Sequence, residues 1–231
     1  MIAATDAPGS MIDPPRFSII VPHFDGSITD AMLLRGLGSL AAQTFRDFEV
    51  LLSHDGPLGR PLPQFEGLDL PALRVDIGAQ RHNDWGHSLR DAGIRQAQGD
   101  YIIHFNTDNL LYPNALEALD RASRQPVPPA PRPDLLENPQ VLIFSIVMRG
   151  MNFNGRGPIW RSGDPNRALI YTGLPPSYGF IDCLQLVAQR SVWLEIGGWY
   201  DRSEASDAAI YAKLVQERGA RYVMAVLGEH W

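Results

Sequence analysis

The stretch Tyr101–Leu116, YIIHFNTDNLLYPNAL, drives an apolar run into Asn106-Thr107-Asp108-Asn109, and Pro113 then opens a helix-like segment. In open α/β sheets ligands bind outside the carboxyl ends of the strands, so this carboxylate, flanked by carboxamides, stands where a ligand would be held. A second apolar run, Phe48–Gly56 (FEVLLSHDG), ends in His54-Asp55-Gly56. If both runs are parallel strands of one sheet, right-handed crossovers bring Asp55 and Asp108 to the same edge.

The elements that must position them are legible in order. Phe17–Pro22 (FSIIVP) is a short β-branched run stopped by proline, as in a buried parallel strand. Leu33, Leu34, Leu37, Leu40 and Ala41 recur at helical spacing behind Thr29 or Asp30 as N-cap. LPALRVDIG gives a third strand. NDWGHSLRDAGIRQAQG gives a helix with Asn83 as cap and Gly99 as stop, and DYIIHF a fourth strand. This β-α-β-loop-β-α-β order predicts a three-layer αβα unit on a mainly parallel sheet. Further on come a helix with Pro113 at its first turn, a proline-rich connection and a buried strand QVLIFSIVM. A long Gly/Asn/Arg/Pro segment follows, then strand-like FIDCLQLVAQ, a short helix ending at Gly197-Gly198, an amphipathic helix and a last strand ending Glu229-His230-Trp231.

Bulk composition excludes several classes. The 231 residues are 45% hydrophobic and 20% charged, ordinary for a globular protein with a core of normal size. A net charge of −6 argues against a broad nucleic-acid-binding face. The single Cys183 permits no internal disulfide. No apolar run reaches the ~18 residues of a membrane span, and residues 1–16 lack a signal-peptide pattern, so the expectation is cytoplasmic. Residues 1–16 are expected to be disordered.

FSIIVPHFDG, SLAAQTFRDFEVLLSHDG, RDAGIRQAQGDYIIHFNTDN, VWLEIGGWYD, SDAAIYAKLVQERG and the terminal EHW occur in one order along the chain. Together they resemble the blocks of inverting family 2 glycosyltransferases of the GT-A fold. That resemblance implies a single GT-A domain over residues 17–231, with a nucleotide-sugar-binding half (17–110) and an acceptor-binding half (111–231). It implies transfer of a sugar from a nucleotide-diphosphate donor, UDP-linked in this reading, to an acceptor hydroxyl on a carbohydrate or other molecule. Departures are His54, Asn106 and Asn109 where the family carries Asp, Asp91 for Asn, Ser206 for Glu, and Lys213 for Arg.

Carried over residue by residue, the resemblance makes Asp108 and His230 the ligands of Mn²⁺ or Mg²⁺, the cation that neutralises the leaving diphosphate. Asp207 becomes the general base, against the alternative of an ordinary first-turn helix Asp. Asp55 is assigned to the nucleobase or ribose, with a plain turn as its alternative. Pro22, His23 and Phe24 line the nucleotide pocket, Arg81 and Asn83 meet the base, and Arg90, Asn106 and Thr107 complete the donor side. Trp160, Trp199 and Ser206 are assigned to the acceptor. Tyr171 and Tyr178 are further stacking candidates, each with plain packing as an equal alternative. Met151, Asn154 and Arg156 belong to a loop over the donor. A homodimer is among the assemblies this reading allows. Two alternatives stay open: a catalytically weak nucleotide-sugar-binding protein, favoured by Asn106 and Ser206, and a nucleotidyltransferase of related fold. The latter lacks a glycine-rich basic signature after the first strand, where PHFDGSITD stands.

Overall fold

The computed structural model describes residues 13–126, 140–152, 160–162, 164 and 166–231. In chain order the elements are β1 (Phe17–His23), α1 (Asp30–Ala41), β2 (Phe48–His54), β3 (Leu73–Ile77), α2 (His87–Gln96), β4 (Tyr101–His104), β5 (Asn109–Leu111) and α3 (Ala115–Arg124). They continue with β6 (Val141–Arg149), β7 (Met151–Asn152), β8 (Trp160–Arg161), β9 (Ala168–Tyr171), a 3-10 turn at Cys183–Gln185, β10 (Leu186–Gln189), α4 (Arg190–Glu195), α5 (Ser206–Arg218) and β11 (Arg221–His230).

One sheet runs β3-β2-β1-β4-β10-β6-β11-β5, with β9 on the edge of β6 and a separate β7-β8 ribbon. Strands β3, β2, β1 and β4 are mutually parallel, and β6 and β11 are parallel to each other. Strand β10 lies antiparallel between β4 and β6, and β5 antiparallel on β11. The sheet is therefore mixed but mainly parallel, as the GT-A expectation requires, and it crosses both halves of the chain without a break.

Central strands are buried on both faces, which is why β1, β2, β4 and β6 read as continuous apolar runs rather than alternating ones. One face packs Leu33, Leu37 and Leu40 of α1 and Leu116 and Leu119 of α3. The other packs Ile94 of α2, Trp193 of α4 and Ile210, Tyr211 and Leu214 of α5. Helix α1 starts as expected, with Thr29 Oγ1 accepting from Met32 N at 3.2 Å.

Several local expectations are corrected. Asn83 does not cap α2: the helix begins at His87 behind Gly86, and Asn83 sits in a left-handed loop conformation (φ 55°). Helix α3 begins at Ala115, two residues past Pro113. FIDCLQLVAQ is only half strand, because the Asp182 side chain caps a 3-10 turn through Leu184 N before β10 begins. Residues 1–12 lie outside the described residues, but Arg16 is pinned by Asp100 and Asp120 at 2.9 Å each, so the ordered fold starts before Phe17. Asn154 and Arg156 lie outside the described residues.

Candidate functional site

Parallel strands β1, β2 and β4 all exit on one edge, and there they open a cleft of about 790 Å³. From β1 it receives Pro22, His23 and Phe24, from β2 Asp55, and from the segment after β4 Asn106, Thr107 and Asp108. Arg81 and Asn83 line it from the loop after β3, Arg90 from α2, and Trp199 and Asp207 from the far half of the chain. The convergence expected from strand direction alone is thus present, joined by one residue of α5.

At the β1 end, Arg81 lies over the Phe24 ring at 3.5 Å from its centroid. Asp55 holds the adjoining loop: its carboxylate accepts from His82 N (2.8 Å) and Asn83 N (3.0 Å), with Arg81 Nε at 3.8 Å. A ligand N–H can use only the lone pairs that remain. The His that replaces the family's Asp before Asp55 is fully buried. His54 donates Nδ1–H to the Gly56 carbonyl (2.7 Å), and its Nε2 lies 3.3 Å from Asp25 N, a loop-tying contact through an N–H that a carboxylate could not supply. Burial and the neighbouring His54 hold His23 down at about 4, so His23 is neutral at physiological pH.

In the middle of the cleft Arg90 is buried, donating to Trp85 O (2.8 Å) and to the side-chain oxygen of Asn106 (2.5 Å), with its guanidinium 5.2 Å from the Trp199 ring centroid. Asn106 therefore engages Arg90 without cancelling its charge, and its own amide N–H₂ is left as a donor. The substitution of Asn for Asp makes this part of the cleft more positive, which suits a diphosphate.

Asp207 occupies the first turn of α5, where its carboxylate accepts from Ala208 N at 2.7 Å. Burial raises its carboxyl to about 6; the Asp182 carboxylate adds to the rise, while the Ala208 N–H and Arg90 oppose it. A cleft carboxylate poised near neutral pH has the proton affinity of an effective base. Cys183 also reaches the cleft, but burial pushes its thiol up to about 11, so it stays protonated and is no nucleophile.

His230 does not line the cleft, but it adjoins the loop that does. Strand β11 pairs with β5, setting His230 opposite Asn109, and Trp231 N donates to Asp108 O at 3.1 Å. Its Nδ1 lies 2.9 Å from Asn109 Oδ1 and 3.3 Å from Asp182 Oδ2. Acceptors on that side fix the proton on Nδ1 and leave the lone pair on Nε2, the arrangement of a metal-binding imidazole held by a carboxylate. Among the described residues no three His, Cys, Asp or Glu side chains gather tightly enough to hold an ion alone. A carboxylate and an imidazole that share an ion with diphosphate oxygens need no third protein ligand, so the donor chemistry fits Mn²⁺ or Mg²⁺. Behind His230, Glu229 is clamped by Arg149 (2.9 and 3.0 Å) and Tyr112 Oη (2.8 Å).

Two acceptor assignments do not survive. Trp199 is fully buried, its ring stacked on Trp193 (5.7 Å) and His87 (5.7 Å), so neither face is open to a sugar; only its edge borders the cleft. Ser206 is also fully buried: its Oγ accepts from Trp199 Nε1 (3.1 Å) and lies 3.1 Å from His87 Nε2. Trp199 is a packed part of the wall, and Ser206 lies behind it. The side chain of Trp160 lies outside the described residues. Tyr171 is buried and Tyr178 is exposed, and neither lines the cleft. Reading motifs alone missed Trp85, His87, Cys183 and Glu204 in the cleft wall and Asp182 behind His230.

Residues 18–126, just under half of the chain and including the whole strand-end side of the cleft, match the family model described as "Glycosyl transferase family 2". A curated relative from Haemophilus influenzae, named "Uncharacterized glycosyltransferase", is 26% identical over 103 residues, 45% of this chain and 40% of the relative. Over these residues the chain resembles glycosyltransferase family 2. Solved structures agree on the fold. TarS 1-349 of S. aureus superposes with a TM-score of 0.59 at 14% identity, over 93% of this chain and 60% of that one. It has also been solved in complex with UDP and with UDP-GlcNAc. Mannosyltransferase PcManGT from Pyrobaculum calidifontis, in complex with GDP-Man and Mn²⁺, gives 0.55 at 17% identity over 92% and 55%. The chain thus spans about 60% or less of the length of these neighbours and 40% of the curated relative.

Proposed function

We propose that this chain is a family 2 glycosyltransferase that moves a sugar, with inversion, from a UDP-linked donor to an acceptor hydroxyl. The observation that carries the reading is the single cleft into which the β1, β2 and β4 exits and Asp207 all open. The base end lies at Phe24, Arg81 and Asp55, and the diphosphate lies along Arg90, Asn106 and Asp108. Asp207 faces the sugar from the opposite wall. Its ionised carboxylate takes the acceptor hydroxyl proton as that oxygen bonds to the anomeric carbon. The bond from that carbon to the diphosphate oxygen breaks, and the nucleoside diphosphate leaves with the electron pair. Arg90 and the Asn106 amide are fixed before substrate arrives and face where the leaving charge develops. A divalent ion held by Asp108 and His230 would supply further neutralisation of the diphosphate.

The test is thermal stabilisation by a panel of nucleotide sugars with Mn²⁺, followed by turnover of the best binder in the parent and Asp207→Asn. Donor binding retained by both proteins, with turnover only in the parent, is the expected result. Binding without turnover in the parent would favour the alternative of a nucleotide-sugar-binding protein.

A further inference from the structure

Trp85 is the exposed aromatic of the cleft wall: 67% of its surface is open, where Trp199 has none. It stands in a backbone conformation that a bulky residue rarely adopts, φ 55°, between Asn83 at 55° and Gly86 at 81°. At Gly86 a side chain is excluded by Pro22, whose Cβ would lie 2.7 Å from an added Cβ. The loop is fixed from three sides. Asp55 accepts the His82 and Asn83 amides, Arg90 donates to the Trp85 carbonyl, and Asp84 accepts from Ser88 N and Oγ (2.9 and 2.6 Å). An unusual conformation held this firmly, with an apolar ring left in solvent, is the pattern of a prepositioned ligand contact.

Its neighbours say which ligand. The indole lies 6.0 Å from the His87 ring, and His87 bonds the Ser203 carbonyl (3.0 Å) and touches Ser206, the residue before Asp207. Exposed Glu204 lines the cleft from the same 203–207 segment. The Phe24–Arg81 stack, by contrast, is at the β1 end. A flat apolar face and an acidic side chain lining one cleft suit a saccharide ring, whose axial C–H bonds pack on the indole while its hydroxyls donate to the carboxylate. We propose that Trp85 and Glu204 form the acceptor subsite and take a pyranose ring, presenting its hydroxyl to Asp207; this rests on the transferase reading above.

The experiment is saturation-transfer NMR with methyl glycosides of glucose, N-acetylglucosamine and mannose, in the presence of saturating UDP. It compares the parent with Trp85→Ala, Trp85→Phe and Glu204→Gln, with UDP affinity measured in parallel by calorimetry. The expected result is transfer from at least one glycoside to the parent, strongest at one ring face. That affinity should fall about tenfold in Trp85→Ala and Glu204→Gln and be largely kept in Trp85→Phe, with UDP affinity unchanged throughout. No transfer to the parent, or equal transfer to Trp85→Ala, overturns the proposal. So does a comparable loss of UDP affinity in Trp85→Ala, which would assign the indole to the nucleotide. If Trp85→Ala melts early, Trp85→Phe and Glu204→Gln carry the decision: glycoside binding unaltered in Glu204→Gln, or lost in Trp85→Phe, overturns it. Absence of UDP binding in the parent tells against the donor reading instead, whatever the glycosides do.

Discussion

At the scale of single residues, the cleft is governed by one buried cation and one carboxylate in a desolvating wall. Burial that raises Asp207 to about 6 has two opposite consequences. A base works when ionised, so turnover should rise with pH through a limb near 6 and flatten above it; a flat profile from pH 5 to 8 would remove Asp207 from the role. A raised folded-state pKa means that the native protein binds this proton more tightly than the unfolded chain does. Stability is therefore lost as pH climbs from the ordinary carboxylate range through 6. Asp207→Asn should accordingly lower turnover by about 10²–10⁴-fold. It should also leave the protein, at pH 7.5, more resistant to urea by on the order of 1–2 kcal/mol, after allowing for solvent in the cleft. Arg90 opposes the shift, so Arg90→Met should move the acid limb upward. The same change strands Asn106 Oδ1 and the Trp85 carbonyl and should cost about 2–4 kcal/mol in denaturant unfolding.

At the scale of elements, the most consequential small unit is the pairing of β5 with β11. Only three residue pairs make it, yet it sets His230 opposite Asn109 and brings Trp231 onto the Asp108 carbonyl. Gly228 lets the strands meet: a Cβ there would lie 2.3 Å from Leu110 O, a backbone atom that cannot swing aside. Gly228→Ala should destabilise by about 2–4 kcal/mol in urea. It should weaken any Mn²⁺ enhancement of UDP binding by calorimetry more than it weakens metal-free binding. This unit also marks where sequence reading reached its limit. Strands β1, β2, β4 and β6 were legible because burial on both faces writes an apolar run into the chain. Strand β5 was not, because Asn109-Leu110-Leu111 is a strand only by virtue of a partner near residue 229. The start of α2 was misread for a similar reason: Asn83 carries a capping side chain, but Asp55 and Arg90 hold its loop in a conformation no local preference predicts. Trp199 followed a motif that correctly located the residue; nothing in the sequence said that Trp193 and His87 would cover both faces of its ring.

At the scale of the whole molecule, a nucleotide sugar bound as proposed, from the β1 exit to the wall that carries Asp207, would tie together parts of the chain far apart in sequence. Binding at a hundredfold excess over Kd adds about 2.7 kcal/mol. For a domain of this size, that should raise the melting point by roughly 5–10 °C. UDP and GDP compared at equal concentration would also rank the two nucleobases. No helix among the described residues is long and apolar enough to cross a membrane. That the first four strands run parallel and bring Asp55 and Asn106-Thr107-Asp108 to one edge was readable from the β-α-β rhythm. The reversed β10 was not, since a four-residue strand carries no mark of its direction.

That reversal sets the cleft's supply line. Because β10 runs against β4, with Val187 beside Ile103 and Gln189 beside Tyr101, it begins at the edge where its neighbour finishes. Cys183, with Asp182 just before it, therefore comes to the cleft on the chain's way in, at the tail of the connection from β9 that includes Tyr178. Lengthening or rewriting residues 172–181 would reshape that side of the mouth while every strand kept its register, a place where new substrate preferences can arise at little structural risk.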